Sequence, residues 1–387
     1  MKRKIIAFNK PYGTYKEIKY MKKALKNLCI SGDGEFTKKV SKLLERIIGA
    51  KKVLLTPSCT SALEMAALLL NLKAGDEVIM PAYTFPSTAT SFVLRGAKPV
   101  FVDIREDTLN INENEIEKKI TKKTKAIVPV HYAGIGCEMN KIMQIAKAHN
   151  LYVVEDAAQG VNAKYENQYL GTIGDFGAYS FHETKNYSCG EGGALIINND
   201  KFLERADIIR QKGTNRKKFN MGLIDKYTWV DVGSSYLLSD LLAAYLYAQL
   251  ESMEKIQEMR KKIFWFYYEN LKPLEKQGYI KLPVIPQNTK PNYHMFYLLL
   301  PSHKLRDKLI QKLQEKKICA IFHYVPLHLS VMGKKFGYKK GDFPIAEDFS
   351  SRLVRLPFYN KLRKRDQKII IKEIKKFEIA IFPGDKK

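Results

Sequence analysis

Apolar and polar positions along this chain follow two rhythms. Short apolar stretches rich in β-branched residues recur as KVLLT (52–56), EVIMP (77–81), KPVFVDI (98–104), KAIVPVHYAG (125–134), LYVVEDAA (151–158), FGAYSFH (176–182) and GGALIIN (192–198). Between several of them lie segments with helical spacing: TSALEMAALLL, TATSFVLRG and MNKIMQIAKAHN. Strand, helix and strand in repetition predict an α/β layer with a mostly parallel sheet. The strands are apolar throughout rather than alternating, which suits a sheet covered on both faces.

The rhythm changes near residue 250. ESMEKIQEMRKKIFWFYYENLKPLEK reads as one long helix, followed by a strand HMFYLLL, a helix LRDKLIQKLQEKK, a strand CAIFHYVPLH and a final helix RDQKIIIKEIKKFE. We therefore expect a large domain over 1–250, including an N-terminal arm, and a smaller C-terminal α/β domain over 251–387. No repeat or low-complexity linker separates them, so the two should pack closely.

At 387 residues the chain can bury a large core without disulfides or a structural metal. Its five cysteines are scattered, with no CxxC pair, which predicts reduced thiols in a cytoplasmic protein. MKRKIIAFNKPYG has too short an apolar run for a secretory signal, and SALEMAALLLNL is far short of a membrane span. The formal net charge is +26, from 66 Lys+Arg against 40 Asp+Glu. The basic residues are dispersed at spacings that suit solvated helix faces, so neither a nucleic-acid nor a membrane partner is expected.

Four features fall at the ends of predicted strands, which in an open parallel sheet form one rim where ligands bind. In TPSCTSALEMAALLL, the hydroxyls of Ser58, Thr60 and Ser61 sit at a helix start. They read equally as an anion cup suited to phosphate or as simple N-capping. In PAYTFPSTAT, Phe85 lies on the turn after a strand, either as a core residue or as a cover for a flat ring worth roughly 0.5–1.5 kcal/mol beyond area burial. In VVEDAAQG, Asp156 ends an apolar strand, where a carboxylate is expensive without a cationic partner. A protonated ring nitrogen would be one; helix capping and metal coordination are the alternatives, and no His/Cys/Glu set at ligand spacing supports a metal. Gln159 is expected one helical turn further on, within reach of the same ligand. In SFHETKNYSCGEGG, Ser180 ends a strand, Lys185 follows five residues later, and the glycines allow a tight turn. An anion cup, a ring cover, an acid and an amine that can form a Schiff base are the parts of a pyridoxal phosphate site.

DAAQ followed by SFHETKN, after the TPSCTSAL loop, resembles the DegT/DnrJ/EryC1/StrS family of sugar aminotransferases, from GDGEFT (32–37) to the C-terminal HYVPLH and RLPFYN. The resemblance implies the type I pyridoxal-phosphate-dependent transferase fold and a homodimer with shared active sites. It makes Lys185 the Schiff-base lysine, Asp156 the partner of the pyridinium nitrogen and Gln159 a contact to the cofactor's 3′-oxygen. Phe85 stacks on the ring, and Thr60, Ser61 and Ser180 bind the phosphate. Where the wider family often has asparagine in a GYNYRLSD-like segment reaching the partner's phosphate, this chain reads GSSYLLSD and Ser235 takes that place. KVLLTPSC, VHYAG, SFHETKNYSCGEGGA, KGTNR and VGSSYLLSD are similar to the subgroup that uses glutamate to convert dTDP-4-keto-6-deoxyglucose to dTDP-4-amino-4,6-dideoxygalactose. Amination of a C3-keto or UDP-linked sugar is the alternative within the class.

His131, His182, His323 and His328 occur in segments similar to the family's motifs; each reads as a sugar or cofactor contact or as a structural histidine. Lys212 and Arg216 are candidates to meet a diphosphate. Sugar dehydratases of the same fold carry histidine at the lysine position, and Lys185 argues against that activity. An inactive nucleic-acid-binding relative is a further alternative, set against the intact amine, acid and phosphate-cup residues. An NAD-dependent dehydrogenase is weaker still, because GIGCEM lacks the third glycine of GxGxxG.

Overall fold

Seven strands form the central sheet: β1 (Lys52–Thr56), β2 (Glu77–Pro81), β3 (Lys98–Val102), β4 (Thr124–Ile127), β5 (Tyr152–Asp156), β6 (Phe176–Ser180) and β7 (Gly193–Ile197). The computed structural model describes residues 5–381, with side chains to Phe377. The strand order is β1-β7-β6-β5-β4-β2-β3. Only β7 is antiparallel, pairing that way with both β1 and β6. The other six strands therefore end on the same rim, as the α/β reading required.

Alternation along each strand sorts the side chains into two cores. Leu54, Met80, Val154, Phe176, Ala178 and Leu195 face one side, under α3 (Cys59–Leu69) and α4 (Pro86–Val93). Val53, Ile79, Val153, Tyr179 and Ile196 face the other, under α2 (Glu35–Ile48), α5 (Met139–Ala148) and α7 (Asp240–Leu250). Helix α1 (Lys16–Lys26) completes this layer, and α6 (Leu203–Arg210) packs with α3 on the first face. Both faces are apolar because both are covered, which is why the strands read as continuous apolar runs.

A third core gathers around α8 (Met253–Lys276), the strand pair β8 (Tyr297–Leu299) and β9 (Leu353–Arg355), α9 (His303–Glu315), α10 (Pro344–Arg352) and α11 (Lys364–Ile381). Ile6 belongs to this core, bridging Ile318 in parallel, with Ile6 N–H donating to Lys317 O at 2.9 Å. CAIFHYVPLH, expected as a strand, is irregular: Ile321 makes one isolated bridge, to Arg355, and Leu327–Leu329 is a 3-10 turn. Pro326 cannot donate to a ladder, and Tyr324 has a positive φ of 31°, so the segment bends instead of pairing. Among the described residues no helix is long and apolar enough to cross a membrane, and no group of three His, Cys, Asp or Glu could hold a metal ion.

The end of β5 carries two adjacent carboxylates on opposite faces of the sheet. Glu155, fully buried, accepts from the amides of Gly171, Ile173 and Gly174 at 2.7 Å each and meets His131 Nε2 at 2.9 Å. The Cys137 amide donates to His131 Nδ1, which leaves the imidazole proton on Nε2, facing Glu155. We predict that Glu155→Ala, which strands several buried donors, destabilises the fold by about 3 kcal/mol or more in urea unfolding. A loss below about 1 kcal/mol would show that the network does not hold the loop after β5.

Candidate active site

The rim of β1, β2, β5 and β6 brings together most of the residues selected from sequence. Ser58 caps α3, accepting from the Ser61 amide at 3.0 Å, and its Oγ lies 3.0 Å from Ser61 Oγ. Capping therefore occupies Ser58, while Thr60 Oγ1 donates to Ser87 Oγ at 2.8 Å across to α4. The first amides of an α-helix have no intrahelical acceptor, so the α3 start still offers donors and a positive dipole end to an anion. Gly193, at the start of β7, lies against this turn. A Cβ there would strike the Ser58 carbonyl and the Cys59 amide, so glycine is needed at this point for β7 to begin against the α3 turn.

Asp156 is buried on the α3/α4 side of the sheet. Its Oδ2 accepts from Thr88 Oγ1 at 2.7 Å and its Oδ1 from the Ala158 amide at 3.2 Å. Two such bonds, about 1.5–3 kcal/mol each, offset only part of the several kcal/mol needed to hide a carboxylate, and Asp156 forms no ion pair with a described residue. Residues beyond it form a turn rather than the expected helix, with the Gly160 amide donating to Ala157 O at 2.8 Å. Gln159 nevertheless faces the same space. Its Oε1 accepts from the Ala133 amide at 2.7 Å and its Nε2 donates to the Tyr324 hydroxyl at 3.0 Å.

Lys185 is half-buried in a narrow cleft that it shares with Gln159, Ser180, Asn186, Asn292 and His294. Its Nζ makes no hydrogen bond or ion pair with a described residue. Burial pulls its pKa below the ordinary lysine value; Cys59 and Asp156 oppose this, and Arg355 adds to it. The result is an amine that loses its proton more readily than a surface lysine. Ser180 is buried at the end of β6 on the Asp156 side. Phe85, 55% exposed before α4, is not a core residue, and its ring centroid lies 5.9 Å from that of Tyr324.

Ser235 stands apart. It is exposed and bridges Gln211, and it touches none of the other site residues. Lys212 and Arg216 likewise make no contact with the cleft; the Arg216 guanidinium lies over Tyr227 at 5.9 Å.

The histidines divide by environment. His131 and His328 are structural, held at 2.9 Å by Glu155 and Glu347 respectively. His182, at the start of the lysine turn, meets Thr184 Oγ1 at 2.9 Å. His323 Nδ1 lies 2.7 Å from the Tyr132 hydroxyl, and burial, then Arg355 and Lys185, hold it well below the usual histidine pKa.

Several cleft residues were not selected from sequence. His294 Nδ1 meets Asn186 Oδ1 at 2.9 Å, and Asn186 Nδ2 donates to Asn292 O at 2.9 Å, fixing the residue next to Lys185. Burial, then Lys185, keep His294 neutral. Tyr83, Tyr132, Tyr324 and Arg355 line the same space. HMFYLLL and RLPFYN mark His294 and Arg355 only as neighbours of apolar strands; no local pattern singles them out.

A dipole-bearing cup, an unpaired buried carboxylate, an exposed ring and a desolvated amine match the needs of a phosphorylated aromatic aldehyde with a protonated ring nitrogen.

The sequence matches the profile of the DegT/DnrJ/EryC1/StrS aminotransferase family over residues 11–375. An uncharacterized protein of Methanocaldococcus jannaschii is 40% identical over 350 residues, covering 89% of this chain and 90% of that one. GDP-perosamine synthase of Escherichia coli O157:H7 is 30% identical over 378 residues, covering 97% of this chain and 99% of that one. A provisionally assigned sugar aminotransferase of Streptococcus pneumoniae, solved in its PLP form, superposes with a TM-score of 0.90 at 27% identity, over 98% of this chain and 100% of that one. It has also been solved in apo and PMP forms. With its fold, its rim of candidate residues and these likenesses, the chain belongs to the DegT/DnrJ/EryC1/StrS aminotransferase family.

Proposed function

We propose that this protein is a pyridoxal-phosphate-dependent aminotransferase that moves the amino group of glutamate to a nucleotide-linked 4-keto-6-deoxy sugar. The substrate we favour is dTDP-4-keto-6-deoxyglucose, giving dTDP-4-amino-4,6-dideoxygalactose for surface polysaccharide such as lipopolysaccharide or enterobacterial common antigen, in the cytoplasm. The observation that carries the reading is the desolvated, unpaired Lys185 amine on the same rim as the unpaired Asp156 carboxylate. The named likeness to GDP-perosamine synthase supports a second reading of the nucleotide, a GDP-linked sugar.

Pyridoxal phosphate, when bound, supplies a conjugated sink for the electrons left on the donor's α-carbon as its proton departs. The α3 start with Thr60 and Ser61, and Ser180 beside it, would hold its phosphate. Asp156, fixed by Thr88, would keep a proton on the ring nitrogen, while Phe85 covers the ring and Gln159 orients its oxygen. Lys185 Nζ, once released, would take the proton from the donor's α-carbon and return one to the sugar carbon in the second half of the cycle. Burial lowers the pKa of that amine below the ordinary lysine value, which eases both transfers.

A homodimer fits the surface. Phe219, Met221, Leu223, Tyr227, Trp229, Val230 and Val232 are exposed in the stretch leading to Ser235, and Trp229 is 79% exposed. An apolar run of this kind is costly to leave in water and marks an interface. A second copy there would bring Ser235, idle within one chain, towards the partner's phosphate cup.

Two measurements test this. Protein incubated with pyridoxal phosphate should develop a visible absorption band that glutamate bleaches and the keto-sugar restores; Lys185→Ala should show no such band. A wild-type protein without the band would remove the aminotransferase reading. In sedimentation experiments the wild type should run as a dimer and Trp229→Glu should shift towards monomer; an unchanged mass in the variant would separate the apolar stretch from assembly.

A further inference from the structure

Charge is spread unevenly over this chain. Residues 251–387 hold 30 Lys and Arg against 14 Asp and Glu, so about a third of the sequence carries +16 of the net +26. Along the sequence these cations lie on separate helical segments, each with the pattern of a solvated face. Packing adds the faces together. Helices α9 and α11 lie side by side over the third core, with a groove of about 450 Å³ between them. Lys308, Lys312 and Lys316 line it from one side and Lys376 from the other, with Glu315 and Glu373 as the carboxylates present. Arg365, Lys368, Lys372 and Lys375 continue the stripe along α11. None of these cations forms an ion pair with a described residue, whereas Lys23 and Lys39 share Glu35, Lys51 meets Asp200 and Lys118 meets Glu115. Lys308 and Lys312, Lys368 and Lys372, and Lys372 and Lys376 are like charges four residues apart, each pair mildly destabilising to its helix. The helices form regardless because Leu309, Leu313, Ile370, Ile374 and Phe377 bury their opposite faces. Repulsion is left standing on the outside.

The chemistry of the stripe says what would relieve it. Seven of the eight cations are lysines, point charges on flexible stems that impose no fixed geometry on an anion. Among the described residues, no large apolar side chain is exposed on α9 or α11, so a folded protein would find no anchor there. Nor is there an exposed ring on which nucleic-acid bases could stack. A plane of anionic lipid headgroups needs neither, and it presents phosphates along the whole of α11, about 27 Å at 1.5 Å per residue. The stripe also lies on the far side of the strand pair from the cleft. On β8 the Tyr297 ring packs towards Tyr132 in the cleft, with centroids 6.1 Å apart, while Leu298 joins Leu309, Leu313 and Ile370 in the core under α9 and α11. A surface seated on the stripe leaves the cleft open.

We propose that the outer face of α9 and α11 docks this protein on the headgroup plane of an anionic bilayer, by charge alone and without insertion. The contact is independent of the aminotransferase chemistry. The test sediments the full chain with vesicles of phosphatidylcholine alone, or of phosphatidylcholine mixed with phosphatidylglycerol. A short duplex DNA of random sequence is titrated in parallel. One variant combines Lys308→Gln, Lys312→Gln, Lys368→Gln and Lys372→Gln. A control combines Lys122→Gln, Lys123→Gln, Lys141→Gln and Lys147→Gln, exposed lysines of the large domain, and removes the same charge. The wild type should pellet with the mixed vesicles alone and be released when NaCl rises from about 0.05 M to about 0.5 M. At roughly fivefold per lysine, the stripe variant should bind the mixed vesicles more than about 100-fold more weakly, and the control less than about fivefold. The stripe variant's urea midpoint should be no lower than that of the wild type, since like-charge pairs have been removed. No binding to the mixed vesicles at low salt would overturn the proposal. So would an equal loss in the control, which would reduce the effect to net charge. Duplex DNA bound more tightly than the vesicles, through the same lysines, would make the stripe a nucleic-acid surface instead.

Discussion

Two carboxylates follow one another at the end of β5, and the strand's pleat sends them to opposite faces of the sheet. Glu155 receives three amides and an imidazole; Asp156 receives a hydroxyl and one amide. The first is a closed electrostatic account that pins the loop behind the sheet. The second has no ion pair with a described residue, although the field of Lys185 reaches it. The site depends on this contrast, since the same strand end must be both rigid and unsatisfied. Thr88 and the Ala158 amide hold Asp156 in place without neutralising it.

The same logic governs the amine. Lys185 sits on a turn steadied at the next residue, Asn186, by His294 and Asn292. None of these groups offers Nζ a counter-charge. Burial presses the ammonium towards its neutral form, Cys59 and Asp156 press the other way without a hydrogen bond to Nζ, and Arg355 adds to the effect of burial.

Much of this was legible in the chain. Asp156 and Ser180 end apolar strands and Thr60, Ser61, Phe85, Gln159 and Lys185 come within five residues after one, so strand ends and short-range chemistry select them, and a parallel sheet places those strand ends on one rim. Ser235 has no such anchor, and within a single chain it meets no other site residue. Arg355, His294 and Tyr324 were not legible for another reason. Each is far from the rim in sequence and enters the site through packing of the C-terminal core, which no local spacing encodes. The bend in CAIFHYVPLH shows the same limit: β-rich composition predicts a strand, but Pro326 and the positive φ of Tyr324 bend the segment so that His323 and Tyr324 meet Tyr83 and Tyr132.

The strap formed by Ile6, Phe8 and Asn9 has a consequence for how the molecule is made. Ile6 pairs with Ile318, Phe8 with Phe358, and Asn9 with the lysine turn. These few residues leave the ribosome long before two of their three partners exist, so they must stay unsettled while the sheet forms around other contacts. The strap cannot close before residues 318 and 358 have been made, so the N-terminal end of the chain is fixed by its C-terminal core.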